Sequence, residues 1–148
     1  MSTRSLIDTF LAQKHIAVAG VSRNPKKFGS YIYKALNEKG FEVYPINPNM
    51  DTHEGKSCYS SIDDLPDEVT ALAISTKPEI TSQLLKEAKT KGIKHIWLLQ
   101  GSADKTLLES VDTEKVITKE CLLMHAQPVK GIHGFHRFLR STLGKMPA

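Results

Sequence analysis

The fold is decided by the stretch Ile16-Ala17-Val18-Ala19-Gly20-Val21, a short apolar run with a glycine near its end. A run that is apolar at every position is typical of a strand buried on both faces of a sheet. Apolar residues at helical spacing follow over Phe28–Lys39, and Gly40 supplies the helix end. The next apolar run, Phe41–Ile46, is again typical of a strand. The sequence therefore predicts a strand, a helix and a second strand in direct succession.

The same alternation continues along the rest of the chain. Thr76 is expected to open a helix that ends at Gly92, because Thr76 and Glu79 have the spacing of a capping box. Pro78 suits the first turn of this helix, where an amide would have no partner to lose. Further helices are predicted over residues 3–13, 102–111 and 132–143, and further strands over residues 69–74, 93–99 and 115–118.

Helices that alternate with fully apolar strands favour a parallel sheet covered on both faces. Because 148 residues is the length of one ordinary domain, we predict a single α/β domain over residues 1–148. Its fold is expected to be a Rossmann-like, doubly wound parallel sheet of about five strands with helices on both faces. Right-handed crossovers place the strand C-termini at one edge, where ligands bind in open α/β sheets. The site is therefore expected in the strand-exit loops Gly20–Gly29, Asn47–Tyr59, Ser75–Pro78 and Gln100–Ala103.

Composition and terminal sequence indicate where the protein works. Hydrophobic residues make up 40% of the chain and charged residues 24%, so a globular protein is expected rather than a disordered one. Asp8 lies where a secretory signal would have an apolar core, and the run from Ile16 to Val21 is far too short to cross a bilayer. The low cysteine count (Cys58 and Cys121) is mild evidence for a reducing compartment. These features predict a cytoplasmic protein with no membrane segment.

The loop after the first strand carries the clearest functional signal. Gly20 permits a tight turn and Ser22 offers a hydroxyl. The loop enters a helix, whose free amides and dipole favour an anion at that end. Three cations, Arg23, Lys26 and Lys27, lie within five residues. The pattern predicts a phosphate site, and an ordinary turn with a lysine-rich surface is the alternative.

This loop departs from the dinucleotide fingerprint G-x-G-x-x-G, since Ser22 and Pro25 stand where the second and third glycines would be. NAD-binding domains place an acid at the end of the second strand to hold the ribose hydroxyls. Here that strand ends in Asn47 and Pro48, with no carboxylate before Asp51. Coenzyme A, which carries a 3′-phosphate on its ribose, suits an acid-free and lysine-rich site better. Two alternatives stay open: an NADP-dependent oxidoreductase, and an interaction protein with a vestigial nucleotide site.

Several short motifs occur together in the order and spacing of a known family. They are Gly20-Val21-Ser22, Tyr44-Pro45-Ile46-Asn47-Pro48, Gly55-Lys56-Ser57-Cys58-Tyr59, Ile96-Trp97-Leu98-Leu99-Gln100-Gly101 and Cys121. On these motifs the chain resembles the small stand-alone CoA-binding proteins, which are similar to the CoA-binding domain of the succinyl-CoA synthetase α subunit. The resemblance covers about Leu6 to Cys121. It implies a Rossmann-type fold with coenzyme A, or an acyl-CoA, lying along the strand C-termini.

The resemblance also implies roles for single residues. It assigns Gly20, Ser22 and Arg23 to phosphate, Asn47 and Pro48 to neighbouring cofactor groups, and Pro78 and Gln100 to the pantetheine side. Lys26 and Lys27 join this cofactor-binding set through the charge of their loop. The chain departs from many relatives at Ser75-Thr76-Lys77-Pro78, where they carry an arginine pair before the proline. The contact from that loop is therefore not carried over.

Neither catalytic residues nor a metal site are predicted. Ligases related to this family use a phosphorylated histidine outside the CoA-binding domain, and no segment of this chain matches that one. His125, His133 and His136 are closely spaced, but zinc would need further ligands, so surface or helix-end positions are expected. Cys58 and Cys121 are expected to act as small hydrophobic residues rather than nucleophiles. Whether either cysteine bonds the thiol of coenzyme A is left open.

The C-terminal segment is basic and amphipathic. Its cations, with no acid among them after residue 120, are Lys130, Arg137, Arg140 and Lys145. The helix predicted over residues 132–143 combines them with an apolar stripe, which favours packing on the domain's own sheet. A homodimer or protein-partner contact and a cap over the cofactor are the alternatives. Nucleic acid binding is disfavoured because no recognised motif accompanies the charge.

Overall fold

The protein was analysed as a computed structural model that describes residues 3–24, 26–112, 115–120 and 122–125. The predicted helix at 132–143, its basic residues, His133, His136 and Cys121 lie outside the described residues. Helices and strands alternate along most of the described chain, but four strands follow one another between the second and third helices. In chain order they are α1 (Thr3–Leu11), β1 (His15–Ala19), α2 (Phe28–Glu38), β2 (Glu42–Ile46), β3 (Thr52–His53), β4 (Lys56–Ser57), β5 (Ala71–Ile74), α3 (Pro78–Lys91), β6 (His95–Leu98), α4 (Lys105–Ser110), β7 (Val116–Ile117) and α5 (Leu122–His125).

Five strands form one parallel sheet in the order β2-β1-β5-β6-β7. In the middle of β1, Val18 is paired with Pro45 on one side and with Ala73 on the other. The chain adds β2 on one side of β1 and then crosses over to add β5, β6 and β7 on the other side. The strand order therefore reverses between β1 and β5, which is where ligands bind in open α/β sheets. The predicted Rossmann-like, doubly wound fold is confirmed.

The sheet separates two hydrophobic cores, which follow the alternation of side chains along β1. Ile16 and Val18 face a core with residues of α1 and α2, and Trp97 of β6 lies in that core against the ring of Phe10. Ala17 and Ala19 face the opposite core, to which α3 contributes. Burial of a side chain such as Ile16 contributes about 1.5–3 kcal/mol. The requirement for burial on both faces explains why β1 is apolar at every position.

The capping box predicted for Thr76 and Glu79 is wrong. Helix α3 begins at Pro78 and its N-cap is Lys77, whose side chain makes no capping hydrogen bond. A residue that precedes proline is held in an extended conformation, and Lys77 has φ −65° and ψ 152°. The helix cannot start before Pro78 for this reason, and the Thr76 hydroxyl bonds to Thr81 instead.

Other differences from the predicted elements are local. Helix α4 starts at Lys105 rather than at residue 102, because the Asp104 carboxylate accepts a hydrogen bond from the Leu107 amide at 2.8 Å and fixes the N-cap. The exit loop of β2 contains the short antiparallel hairpin β3–β4. Its strands have two residues each and lack an apolar pattern, so they could not be predicted from the sequence.

The exit of β1 depends on a contact between two stretches of backbone. Gly20 has φ +101°, and a Cβ atom built on it would overlap the carbonyl group of Ser75. Ser75 in turn donates its amide to the Ala19 carbonyl at 2.9 Å. The loops that leave β1 and β5 are therefore in direct contact at the reversal point of the sheet.

We expect Gly20→Ala to lower the free energy of unfolding by several kcal/mol. About 1–2 kcal/mol comes from the positive φ, and about 1–3 kcal/mol more comes from displacing the Ser75 backbone. Gly92→Ala is the matched control, because Gly92 has φ +90° but open space around its Cα atom. Urea unfolding of both variants measures the difference, and equal losses of stability would contradict the role given to the close contact.

Candidate functional site

The exit loop of β1 is held in shape by a buried serine from helix α2. The Ser30 hydroxyl accepts a hydrogen bond from the Ser22 amide at 2.8 Å and donates to the Ser22 carbonyl at 2.6 Å. The Ser22 hydroxyl accepts from the Asn24 amide at 3.1 Å, which leaves its own proton for another partner. The Asn24 side chain accepts from the Lys26 amide at 3.0 Å. The loop is thus a chain of local turns, anchored on α2 at Ser22.

A second glycine, Gly29, allows helix α2 to approach this loop. A Cβ atom on Gly29 would overlap the backbone carbonyl of Gly20. In dinucleotide-binding folds the third glycine of the fingerprint serves close packing of helix and strand. Here Gly29 makes a contact of that kind.

Asn47 joins the exit of β2 to the exit of β1. Its side-chain amide donates to the Val21 carbonyl at 2.7 Å, and its side-chain oxygen accepts from the Asn49 amide at 2.8 Å. Its backbone amide donates to the Tyr59 carbonyl at 2.9 Å, which returns the hairpin loop to the edge of the sheet. The predicted cofactor residue Asn47 is therefore first a brace between two exit loops.

Two helices begin at the reversal point without a side-chain cap. The N-caps of α2 and α3 are Lys27 and Lys77, and neither side chain bonds a first-turn amide. The amides at a helix start that lack such partners attract anions, and the helix dipole adds to the effect. Helix α4, which follows β6, differs because Asp104 caps it with a carboxylate. The edge of the sheet favours an anion beside β1 and β5 and disfavours one beside β6.

The predicted site residues divide into two groups in the structure. Gly20, Ser22 and Asn47 form the joined framework, and the proline of the β5 exit loop, Pro78, occupies the first turn of α3. The exposed residues around this framework are Arg23, Lys26, Lys27, Pro48 and Gln100. Gln100 follows β6, one strand beyond β5, so it lies farther from the phosphate loop than the others do.

Cys58 lies beside this framework but is a poor nucleophile. Its thiol is half-buried and donates a long hydrogen bond, 3.8 Å, to the Asn47 carbonyl. Burial raises the pKa of the Cys58 thiol above its ordinary value, and the nearby Asp51 carboxylate raises it further. The thiolate, which is the reactive form, is therefore scarce near neutral pH.

His125 lies at a helix end, one of the two positions expected for it, but it is not on the surface. It is the last residue of α5, its side chain is buried beside Trp97, and its Nε2 atom lies 3.0 Å from a Glu120 carboxylate oxygen. The Trp97 indole donates to the Glu120 carbonyl at 2.9 Å, so β6 and the last described residues are tied together.

Among the residues that the structure describes, no three histidine, cysteine or acidic side chains are grouped to hold a metal ion. In the same part of the chain no helix is both long and apolar enough to cross a membrane.

Sequence reasoning missed Gly29, Ser30 and Thr81 as residues that shape the site. A glycine and a serine adjoin in the first turn of α2, where glycine weakens a helix, and this was the available signal for the first two. Thr81 gave none, because a lone threonine within an amphipathic helix has no distinctive pattern.

We expect Asn47→Asp to destabilise the protein by about 1–3 kcal/mol at neutral pH, because a carboxylate cannot donate to the Val21 carbonyl and is repelled by it. The loss should shrink below about pH 4, where a protonated carboxyl group can donate. Asn37→Asp is the control, since Asn37 accepts from Lys56 at 3.5 Å and an aspartate preserves that contact. Denaturant unfolding at both pH values tests this, and identical stabilities of the two variants would refute the brace.

Comparison with known proteins is consistent with this geometry. The model of the CoA binding domain family matches residues 14–127. A conserved hypothetical protein of known structure from Pyrococcus furiosus is 35% identical, with a TM-score of 0.69 over 74% of this chain and 97% of that chain. A hypothetical protein from Pyrococcus horikoshii is 26% identical, with a TM-score of 0.72 over 83% of this chain and 88% of that one.

The chain is also similar to part of a longer enzyme. It is 31% identical over 115 residues to the α subunit of acetate–CoA ligase (ADP-forming) II from Pyrococcus furiosus, which covers 77% of this chain and 25% of that protein. The chain therefore spans about a quarter of the length of this ligase subunit. The match to the family model extends over most of the described sheet and includes all four strand-exit loops. The chain belongs to the CoA-binding domain family.

Proposed function

We propose that this chain binds coenzyme A or an acyl-CoA at the C-terminal edge of its parallel sheet and has no catalytic machinery of its own. Family membership supports coenzyme A as the ligand. The proposal adds the place of binding and the residues that take part. The ligase activity named for the longer relative is not part of it.

The observation that carries the proposal is the pair of uncapped helix starts on either side of the strand-order reversal. Helices α2 and α3 belong to opposite faces of the sheet, and both begin beside the contact between Gly20 and Ser75. A phosphate group at this point would face amides from two helices and the cations that precede them. Arg23, Lys26 and Lys27 are exposed there. This concentration of positive charge fits a ligand with several phosphates.

The end of β2 favours coenzyme A over NAD. An NAD site needs a carboxylate to hold the ribose diol. This chain has Asn47 instead, and both polar atoms of its side chain are used to hold the loops. A ribose that carries a 3′-phosphate has no free diol, so the absence of a carboxylate at this position costs it no hydrogen bonds. Pro48, which follows, is exposed and is proposed to contact the neighbouring groups of the cofactor.

The uncharged arm of the ligand is proposed to extend toward β6, past Pro78 to Gln100. The raised pKa of Cys58 supports binding over nucleophilic catalysis, because a protonated thiol attacks slowly. A cytoplasmic location and a contact with a second subunit or protein through residues 132–143 stay predictions from the sequence.

A panel of ligands tests the proposal. We expect coenzyme A and acetyl-CoA to raise the melting temperature, while NAD and NADP leave it unchanged. A ligand at a hundred times its Kd stabilises the folded state by about 2.7 kcal/mol, which a thermal scan resolves easily. Stabilisation by NADP alone would favour the oxidoreductase alternative, and no shift with any of the ligands would favour a vestigial site.

Removal of single cations tests the phosphate loop. We expect Arg23→Ala and Lys26→Ala each to weaken coenzyme A about ten- to a hundred-fold, because charge-assisted hydrogen bonds contribute roughly 1.5–3 kcal/mol. Lys34→Ala is the control, since Lys34 is an exposed cation on α2, the helix that follows this loop. Calorimetric titration gives the affinities. An equal loss of affinity in all three variants would mean that the cations of the loop act only through general electrostatic attraction and make no specific contact.

A further inference from the structure

Two threonines meet where strand β5 leaves the sheet. Thr76 lies in the exit loop and is partly exposed, while Thr81, in the first turns of α3, has no exposed surface. Their hydroxyl oxygens are 2.8 Å apart, so one of the two donates to the other. Thr81 is the only fully buried polar side chain in the described part of α3.

The hydroxyl of Thr81 has more acceptors around it than it has protons. Besides the Thr76 hydroxyl, it lies 3.1 Å from the Lys77 carbonyl and 3.3 Å from the Thr76 carbonyl. Carbonyl oxygens only accept, so two arrangements satisfy this group. In one, Thr81 donates to a carbonyl and Thr76 donates inward to Thr81. In the other, Thr81 donates to the Thr76 hydroxyl, and the proton of Thr76 is left for an outside acceptor.

The position of Thr76 decides which acceptor fits. Thr76 directly follows Ser75, whose backbone contacts Gly20 at the strand-order reversal. It also precedes Lys77, the N-cap of α3, which has no side-chain capping bond. An oxygen that binds here therefore sits near a positive helix end and a lysine, which favours an anionic oxygen. Such an oxygen is an acceptor and stabilises the arrangement in which Thr76 donates outward.

We propose that Thr76 is a further binding residue of this site, donating its hydroxyl to a phosphate oxygen of the ligand, and that buried Thr81 is the residue that positions it. This inference rests on the proposed binding of coenzyme A. It gives the β5 exit loop a specific contact, where the sequence had left that loop without one. Since hydroxyl groups polarise one another in a chain, donation by Thr81 strengthens the donation by Thr76.

The test is calorimetric titration of coenzyme A into the wild type, Thr76→Val, Thr76→Ser, Thr81→Val, Thr81→Ser and the double valine variant. Valine keeps the shape of threonine and removes its hydroxyl. We expect Thr76→Val to weaken binding about ten-fold or more, in the range of a hydrogen bond to a charged group. Thr81→Val should weaken it less, the serine variants should bind like the wild type, and the double variant should bind no worse than Thr76→Val.

Thr90→Val is the matched control for Thr81→Val. The Thr90 hydroxyl bonds to the Lys86 carbonyl at 3.1 Å, which repeats the bond of Thr81 to Lys77 four residues earlier, but Thr90 is exposed and far along α3. Its removal should leave the affinity unchanged. If Thr81→Val fails to fold, the pair Thr76→Val and Thr76→Ser carries the test alone.

Ligand fragments identify the group that Thr76 contacts. The effect of Thr76→Val should persist with dephospho-CoA if the diphosphate is bound, and vanish with dephospho-CoA if the 3′-phosphate is bound. An equal effect with pantetheine, which has no phosphate, would overturn the assignment. So would wild-type affinity of Thr76→Val, or additive losses in the double variant. Failure of the wild type to bind coenzyme A would instead overturn the proposed function itself, and the Thr76 contact with it.

Discussion

The backbone of Gly20 lies against the backbone of Ser75 with no room for a side chain between them, and the geometry of the carboxyl edge of the sheet follows from that contact. Because the exit of β1 touches the exit of β5, helices α2 and α3 both start near this contact, on opposite faces of the sheet. Gly29 makes a similar close backbone contact between α2 and Gly20, so the backbones of the strand exit and the helix also lie directly against each other. Side chains of ordinary size at these positions would separate the two helix starts.

Polar side chains in this region serve the framework before they serve a ligand. Ser30 satisfies both backbone groups of Ser22, and Asn47 reaches the Val21 carbonyl from the neighbouring strand. Each of these bonds satisfies a backbone amide or carbonyl group of the loop that would otherwise need a hydrogen bond to water. No side chain caps the first-turn amides of α2 and α3, and Arg23, Lys26 and Lys27 are exposed. If the proposed ligand binds at this edge, it meets a backbone framework that is already formed, which would limit the entropy lost on binding.

The sequence predicted the fold well because its signals are periodic and repeated. Fully apolar strands such as β1, and apolar stripes on helices such as α2, indicate directly which residues are buried. Because strands and helices of these kinds alternate, few sheet topologies are compatible with the chain. The hairpin β3–β4 was missed because its four residues are polar and its pairing depends on the loop around them. The capping box was misplaced because proline holds the residue before it in an extended conformation. This restriction outweighs the preference for a helix to start at a threonine that lies three residues before a glutamate. The framework residues escaped for another reason. Gly29 and Ser30 act on the backbone of the loop before α2, and Thr81 bonds to the residues that lead into α3, so their roles depend on backbone geometry that an apolar pattern does not record.

Asp104 caps helix α4 with a carboxylate, while the starts of α2 and α3 are left open. As a consequence, the electrostatic potential differs between the two ends of the carboxyl edge of the sheet. A ligand that is charged at one end and neutral at the other gains by placing its charged end beside β1 and loses by placing it beside β6. Reversed binding would put phosphates next to a carboxylate and leave two helix starts facing an uncharged chain. On the proposed mode of binding, a single acidic side chain that does not contact the phosphates would thus distinguish the charged end of the ligand from the neutral end.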